Sequence, residues 1–171
     1  MEISQIIGRI IHIGFGVFWA GTIFFYVFLL EPSIRSLGSD GGKIMQALIK
    51  RRFLTVVPVA AAITILSGAD LYWRVSGGMS SAWMGTAYGQ ALSTGAVAAL
   101  MAFVIGVFFM RPAALRIGKL AAGLDDVTDD DERDGITAQI DSLKKRSRGF
   151  AHSVAFLLIV SVVTMAMARH L

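Results

Sequence analysis

Cysteine is missing altogether, and with it every disulfide, thiolate metal site and thiol reaction. Charge is scarce: Asp, Glu, Lys and Arg make up 16% of the 171 residues, against about 25% in an ordinary soluble domain. Histidine occurs only three times, so a pair of bis-histidine haems, which would need four imidazoles, is excluded. The serines are scattered and form no nucleophile–base constellation, and no Walker-type phosphate loop follows a strand. Hydrolase and kinase chemistry are therefore not expected. "GSDGGK" at residues 38–43 follows an apolar run and reads as a flexible loop.

What the chain has instead is apolar surface. Hydrophobic residues reach 55% and mean hydropathy is +0.66. So much cannot be buried in one small core, and the bilayer is the better solvent for it. Four runs, at about residues 6–30, 53–75, 87–110 and 149–168, meet the ~20 residues a helix needs to cross ~30 Å of hydrocarbon. Helices are the default because lipid cannot satisfy free backbone groups. The first run is expected to stop at Glu31-Pro32, the third at Arg111-Pro112, and Pro58 is expected to kink the second. "MEISQ" has no basic region and no cleavage site follows, so the first run is expected to be retained.

Thirteen of the sixteen basic residues lie in the two connections after the first and third runs, and residues 76–86 between the second and third hold none. By the positive-inside rule those two connections are cytoplasmic and both termini lie outside. The basic excess thus speaks to topology, not nucleic acid. Small residues recur at four-residue spacing: Gly16 and Ala20, Thr64 and Gly68, then Ala91, Gly95 and Ala99, with Ala102 and Gly106 beyond. Such stripes let helices pack closely in lipid. Past the third run, Leu120, Leu124 and Val127, and then Ile136, Ile140 and Leu143, keep helical spacing. They predict a cytoplasmic helical hairpin over residues 111–148. Its acidic tip nearly matches a calcium loop at Asp130, Glu132, Asp134, Gly135 and Asp141 but fails at two ligand positions, so a solvated turn with a helix cap is the plainer reading. The expected fold is a single all-α domain in a bacterial cytoplasmic membrane: a four-transmembrane-helix bundle with that hairpin.

Against this apolar background "GRIIHIGFGVFWAG" carries Arg9 and His12, three residues apart on one helical face that Gln5, Gly16 and Ala20 continue. The second run returns with Asp70 and Arg74, one turn apart, and Ser67 nearby. Ionisable groups inside a membrane usually face the bundle or a wet cavity, so these residues are expected to form a polar pocket in the outer leaflet. Imidazole ligates haem and metals. His152 lies at the other end of the bundle, and His170 beyond the last run, so a partner for His12 on haem iron would be Met165 or Met167. Arg9 and Arg74 would then pair with the propionates. Copper is the alternative at His12, with Met79, Met84, Met165, Met167 and His170 as further donors. The plain structural alternative is interfacial: Arg9 and Arg74 reaching headgroups, and Tyr72, Trp73, Trp83 and Tyr88 forming an aromatic belt.

His12 followed by Trp19, Gly21, Pro32 and Arg35, with "ILSGADLYW" in the second run, resembles the copper-resistance-D-like and HemJ-type protoporphyrinogen oxidase families. The resemblance covers the first two runs. It implies a haem ligand at His12. HemJ-type enzymes also use a lysine in the third span. None occurs between Phe53 and Met110, so the resemblance does not extend to porphyrinogen oxidation. No methionine ladder supports copper transport. The expectations are thus a b-type haem protein exchanging electrons with quinone or a redox protein, a copper-handling protein, or a subunit of a larger membrane complex.

Overall fold

A computed structural model describes residues 3–38, 41–124 and 127–171. Among them all regular structure is helical. Four long helices, α1 (Ile3–Ser36), α3 (Phe53–Val75), α5 (Ala87–Gly123) and α6 (Asp130–Ala168), are each long and apolar enough to cross a membrane. Two shorter ones, α2 (Gly41–Lys50) and α4 (Ser81–Met84), occupy connections. The helices alternate in direction. Gly8 faces Leu71 while Gly16 faces Thr64, so α1 and α3 are antiparallel. Tyr72 meets Ser93 at one end of the next pair and Leu54 meets Arg111 at the other. In the last pair Gly95 faces Ser161 and Phe109 stacks with Phe150. The start of α1 and the end of α6 therefore lie at one end of the bundle, called the terminal end, and the α5–α6 hairpin projects from the other.

Neither expected proline stop ends its helix. Pro32 and Pro112 lack an amide proton and their rings crowd the carbonyl four residues back. The chain widens by one residue instead of breaking. Residues 26–30 and 106–110 are π-helical turns, in which Glu31 donates its amide to the Tyr26 carbonyl and Arg111 to that of Gly106. The helix then resumes to Ser36 in one case and Gly123 in the other. The two turns occur in similar stretches, YVFLLEP and GVFFMRP. Pro58 likewise sits inside an unbroken α3.

The 39 residues of α6 make a rod of about 58 Å, nearly twice a hydrocarbon core. Its N-terminal part pairs with the end of α5 as the sequence pattern predicts, with Ile140 buried at 6% exposure and Leu120, Leu124, Val127, Ile136 and Leu143 half-buried around it. Asp129 caps α6 by accepting the Glu132 amide at 3.0 Å. Residues 130–141 are therefore helix, not a calcium loop, and their carboxylates point around a cylinder. Residues 41–43, expected in a flexible loop, open α2; Ser39 and Asp40 lie outside the described residues.

The common core comprises Trp19, Ile23 and Val27 of α1, Val57 and Ala61 of α3, Ala99 and Ala102 of α5, and Ala151, Val154 and Leu158 of α6. It occupies the middle of the bundle and the half toward the hairpin. The outer faces are apolar too, with Val17 at 69% exposed, Leu66 at 71% and Phe156 at 65%. Such a surface suits hydrocarbon as its solvent.

Candidate functional site

His12 lies on the terminal half of α1, against α3. Two features of α3 receive it. Gly68 leaves the room: a Cβ built there would stand 2.7 Å from His12 Cε1 and 3.0 Å from Nδ1. The backbone one turn earlier supplies the anchor, since His12 Nδ1 lies 2.9 Å from the Thr64 carbonyl. A carbonyl oxygen only accepts, so Nδ1 carries the proton, and in the neutral ring the lone pair is on Nε2. Among the described residues no buried side-chain nitrogen or oxygen lacks a partner. Nε2 has none of its own, so it is open to the surroundings.

The same carbonyl accepts from the Ser67 hydroxyl at 3.2 Å, which also donates to Ile63 O at 2.6 Å. The buried Thr64 hydroxyl bonds back to Ala60 O at 2.9 Å. Thr64 and Ser67 thus spend their hydroxyls on α3 itself, as such residues do in membrane helices. Gly16 completes the seam, its Cβ position 3.4 Å from Thr64 Cγ2. The small-residue stripes predicted for α1 and α3 are this contact.

Asp70 and Arg74 are joined by a 2.9 Å ion pair along α3, their side chains 54% and 38% exposed. Arg9 lies elsewhere on α1, lining a shallow open groove of about 520 Å³ with Ile6, Ile10, Ile13 and Gly14, all from that one helix. Gln5 is half-buried. Among the described residues, His12 is joined to the α3 backbone and Asp70 to Arg74. Met165 belongs to the other seam: its Cγ lies 2.9 Å from a Cβ built on Gly95, and its sulfur faces the Ser161 hydroxyl at 3.9 Å. His152 bonds the Arg148 carbonyl of its own helix at 2.9 Å. Arg148 in turn pairs with Glu31, 19 residues or about 28 Å of helix from His12. His152 and His12 are thus at different levels, as expected from the sequence. No group of three or more His, Asp or Glu side chains placed to hold a metal ion occurs among the described residues.

Three interactions were not foreseen. The Tyr72 hydroxyl meets Ser93 Oγ at 2.6 Å, and Trp83 stands edge-on to both Tyr72 and Tyr88, with centroids 5.3 and 5.8 Å away. These rings form one cluster that joins α3 to α5 at the terminal end. At the opposite end Arg148 Nε donates to Glu31 Oε1 at 2.7 Å, joining α6 to α1. Arg111 reaches the Leu54 carbonyl. The readable signal was the repeated charge-proline step, Glu31-Pro32 and Arg111-Pro112, whose charged residues both cross to a neighbouring helix.

No known family, no curated protein and no solved structure matches this chain.

Proposed function

We propose that this is a multi-pass membrane protein of the bacterial cytoplasmic membrane in which His12 is an axial ligand of a b-type haem used for electron transfer. The supporting observation is the fixed tautomer: Nδ1–H is held by the Thr64 carbonyl, leaving Nε2 as an open lone pair. A ligating histidine characteristically donates its other ring N–H in this way, which sets ring orientation and raises ligand basicity. A porphyrin brings four nitrogens of its own, so one protein imidazole is enough to hold it, whereas a bare copper ion needs several donors. That arithmetic favours haem over copper here. Arg74, paired with Asp70 farther along α3, would meet a propionate. When bound, haem would supply one-electron chemistry, with quinone or a redox protein as partner. The distribution of basic residues supports cytoplasmic placement of the α5–α6 hairpin, so His12 would lie toward the outer leaflet.

The test is spectroscopic. Protein produced with haem supplied should show a Soret band that shifts on reduction, and His12→Ala should lose it while keeping its helical circular dichroism. A parent without any Soret band would end the proposal. A second reading, a subunit of a larger membrane complex, is favoured by one observation: Gly14 and Gly21 on α1 have nothing within 4 Å of their Cβ positions. Purification in mild detergent as a lone monomer would count against it.

A further inference from the structure

The corner between α2 and α3 combines three features that the haem reading leaves unused. First, α2 is amphipathic. Ile44, Met45, Leu48 and Ile49 share one side of the helix, while Lys43, Gln46 and Lys50 share the other. The apolar side is tied to the bundle at two points: Gly41 lies against the Ile34 carbonyl, and Ile49 Cδ1 lies 4.0 Å from a Cβ position on Gly118. Ile44 is 37% exposed. Second, Lys50, Arg51 and Arg52 are consecutive and exposed, and the apolar run of α3 begins at the very next residue, Phe53. The sequence has no acidic residue between Asp40 and Asp70 to neutralise them. Third, Arg52 occupies the left-handed region at φ 61° and ψ 24°, a conformation suited to glycine. The turn itself needs no guanidinium, yet a bulky charged residue is held there, one residue before the apolar run of α3.

We infer that α2 lies in the headgroup layer and that Lys50, Arg51 and Arg52 bind an anionic phospholipid at the α2–α3 corner. The chemistry is charge complementarity at short range. Three cations project where a lipid phosphate sits, and the half-covered apolar side of α2 rests on the adjoining acyl chains. The strained backbone at Arg52 aims a charge that a glycine in the same turn would not carry.

The whole protein is purified from membranes, exchanged into neutral detergent with equal phosphatidylglycerol and phosphatidylcholine, and the retained lipid is counted by native mass spectrometry. The parent should retain phosphatidylglycerol in excess by about fivefold or more, the attraction of one basic residue near a surface. Lys50→Gln/Arg51→Gln should cut the excess by about fivefold or more. Lys119→Gln/Arg133→Gln, which removes the same charge from the projecting hairpin, should leave it intact. Arg52→Gly separates headgroup binding from backbone shape. Glycine relaxes the turn, so the thermal midpoint in neutral detergent should rise while the phosphatidylglycerol excess falls. Equal retention of both lipids by the parent would overturn the inference. So would equal loss in the corner and hairpin variants, which would reveal a net-charge effect alone, or an Arg52→Gly variant with the parent's lipid ratio. None of these outcomes depends on whether haem binds.

Discussion

Arg111 Nε donates to the Leu54 carbonyl at 3.1 Å, and Leu54 stands four residues before Pro58. In an uninterrupted α-helix that carbonyl would accept the amide proton of residue 58, which proline lacks. A guanidinium from α5 therefore substitutes for the missing amide of α3. The same Arg111 supplies its own backbone amide to the π turn that Pro112 imposes. Two proline defects on neighbouring helices are thus reconciled through one residue, and α3 runs unbroken to Val75.

Arg111→Gln should lower stability by about 1–2 kcal/mol, since a hydrogen bond to a charged donor contributes about 1.5–3 kcal/mol and this one is exposed. Pro58→Ala restores an amide to Leu54. In that background the same arginine change should cost under about 0.5 kcal/mol, because the carbonyl no longer depends on it. Unfolding of the four proteins in mixed micelles measures the difference. Equal losses in both backgrounds would mean that Arg111 serves some other group.

Gly68→Ala should destabilise the α1–α3 seam by about 1–3 kcal/mol, since the new methyl would meet the His12 ring at 2.7 Å. Displacing that ring also breaks its bond to Thr64, so haem uptake should fall with stability. Gly21→Ala is the matched control. Nothing lies within 4 Å of its Cβ position, and alanine is the better helix former, so it should be neutral or stabilising by up to about 1 kcal/mol. Thermal midpoints together with the Soret absorbance separate the two.

The four long helices were legible because their signal is redundant: about twenty apolar residues outweigh any single exception. The hairpin was legible from Leu120 to Leu143 for the same reason, a sustained helical period. The small-residue stripes correctly marked the seam that holds Gly16, Thr64 and Gly68. What misled was punctuation. Proline reads as a stop, but with helix continuing on both sides a π turn accommodates it more cheaply than a break, as at Pro32 and Pro112. At the site, the sequence placed His12 and the Asp70–Arg74 pair on adjoining helices. It did not reveal that a backbone carbonyl, Thr64 O, would be the imidazole's partner. Backbone acceptors carry no residue code, and the proline-orphaned carbonyl of Leu54 is the one case where arithmetic could have found one.

Glu31 and Arg148 lie 117 residues apart in sequence. With side chains 19% and 36% exposed, they are neither in water nor fully sealed. Removing one partner leaves the other charge half-buried and unpaired, so Glu31→Gln and Arg148→Gln should each cost about 1–2 kcal/mol. The double variant should cost less than the sum of the two, with a coupling of about 1 kcal/mol. A double-mutant cycle measured by unfolding would expose strict additivity if the pair contributes nothing.

Asp70 and Arg74 offer the opposite case. Their 2.9 Å pair lies within one helix, at four-residue spacing, with both side chains more than a third exposed. Such a pair contributes only about 0.3–0.5 kcal/mol, so Asp70→Asn and Arg74→Gln should each leave the thermal midpoint almost unchanged. Their effects on haem should nevertheless diverge. If Arg74 meets a propionate, Arg74→Gln weakens haem retention, whereas Asp70→Asn frees the guanidinium from its competitor and preserves or strengthens it. Titrating haem into the two variants, each compared with the parent, distinguishes a cation that serves a ligand from one that only serves its own helix. Equal affinity in both variants would assign Arg74 the second role and leave His12 as the site's sole functional group.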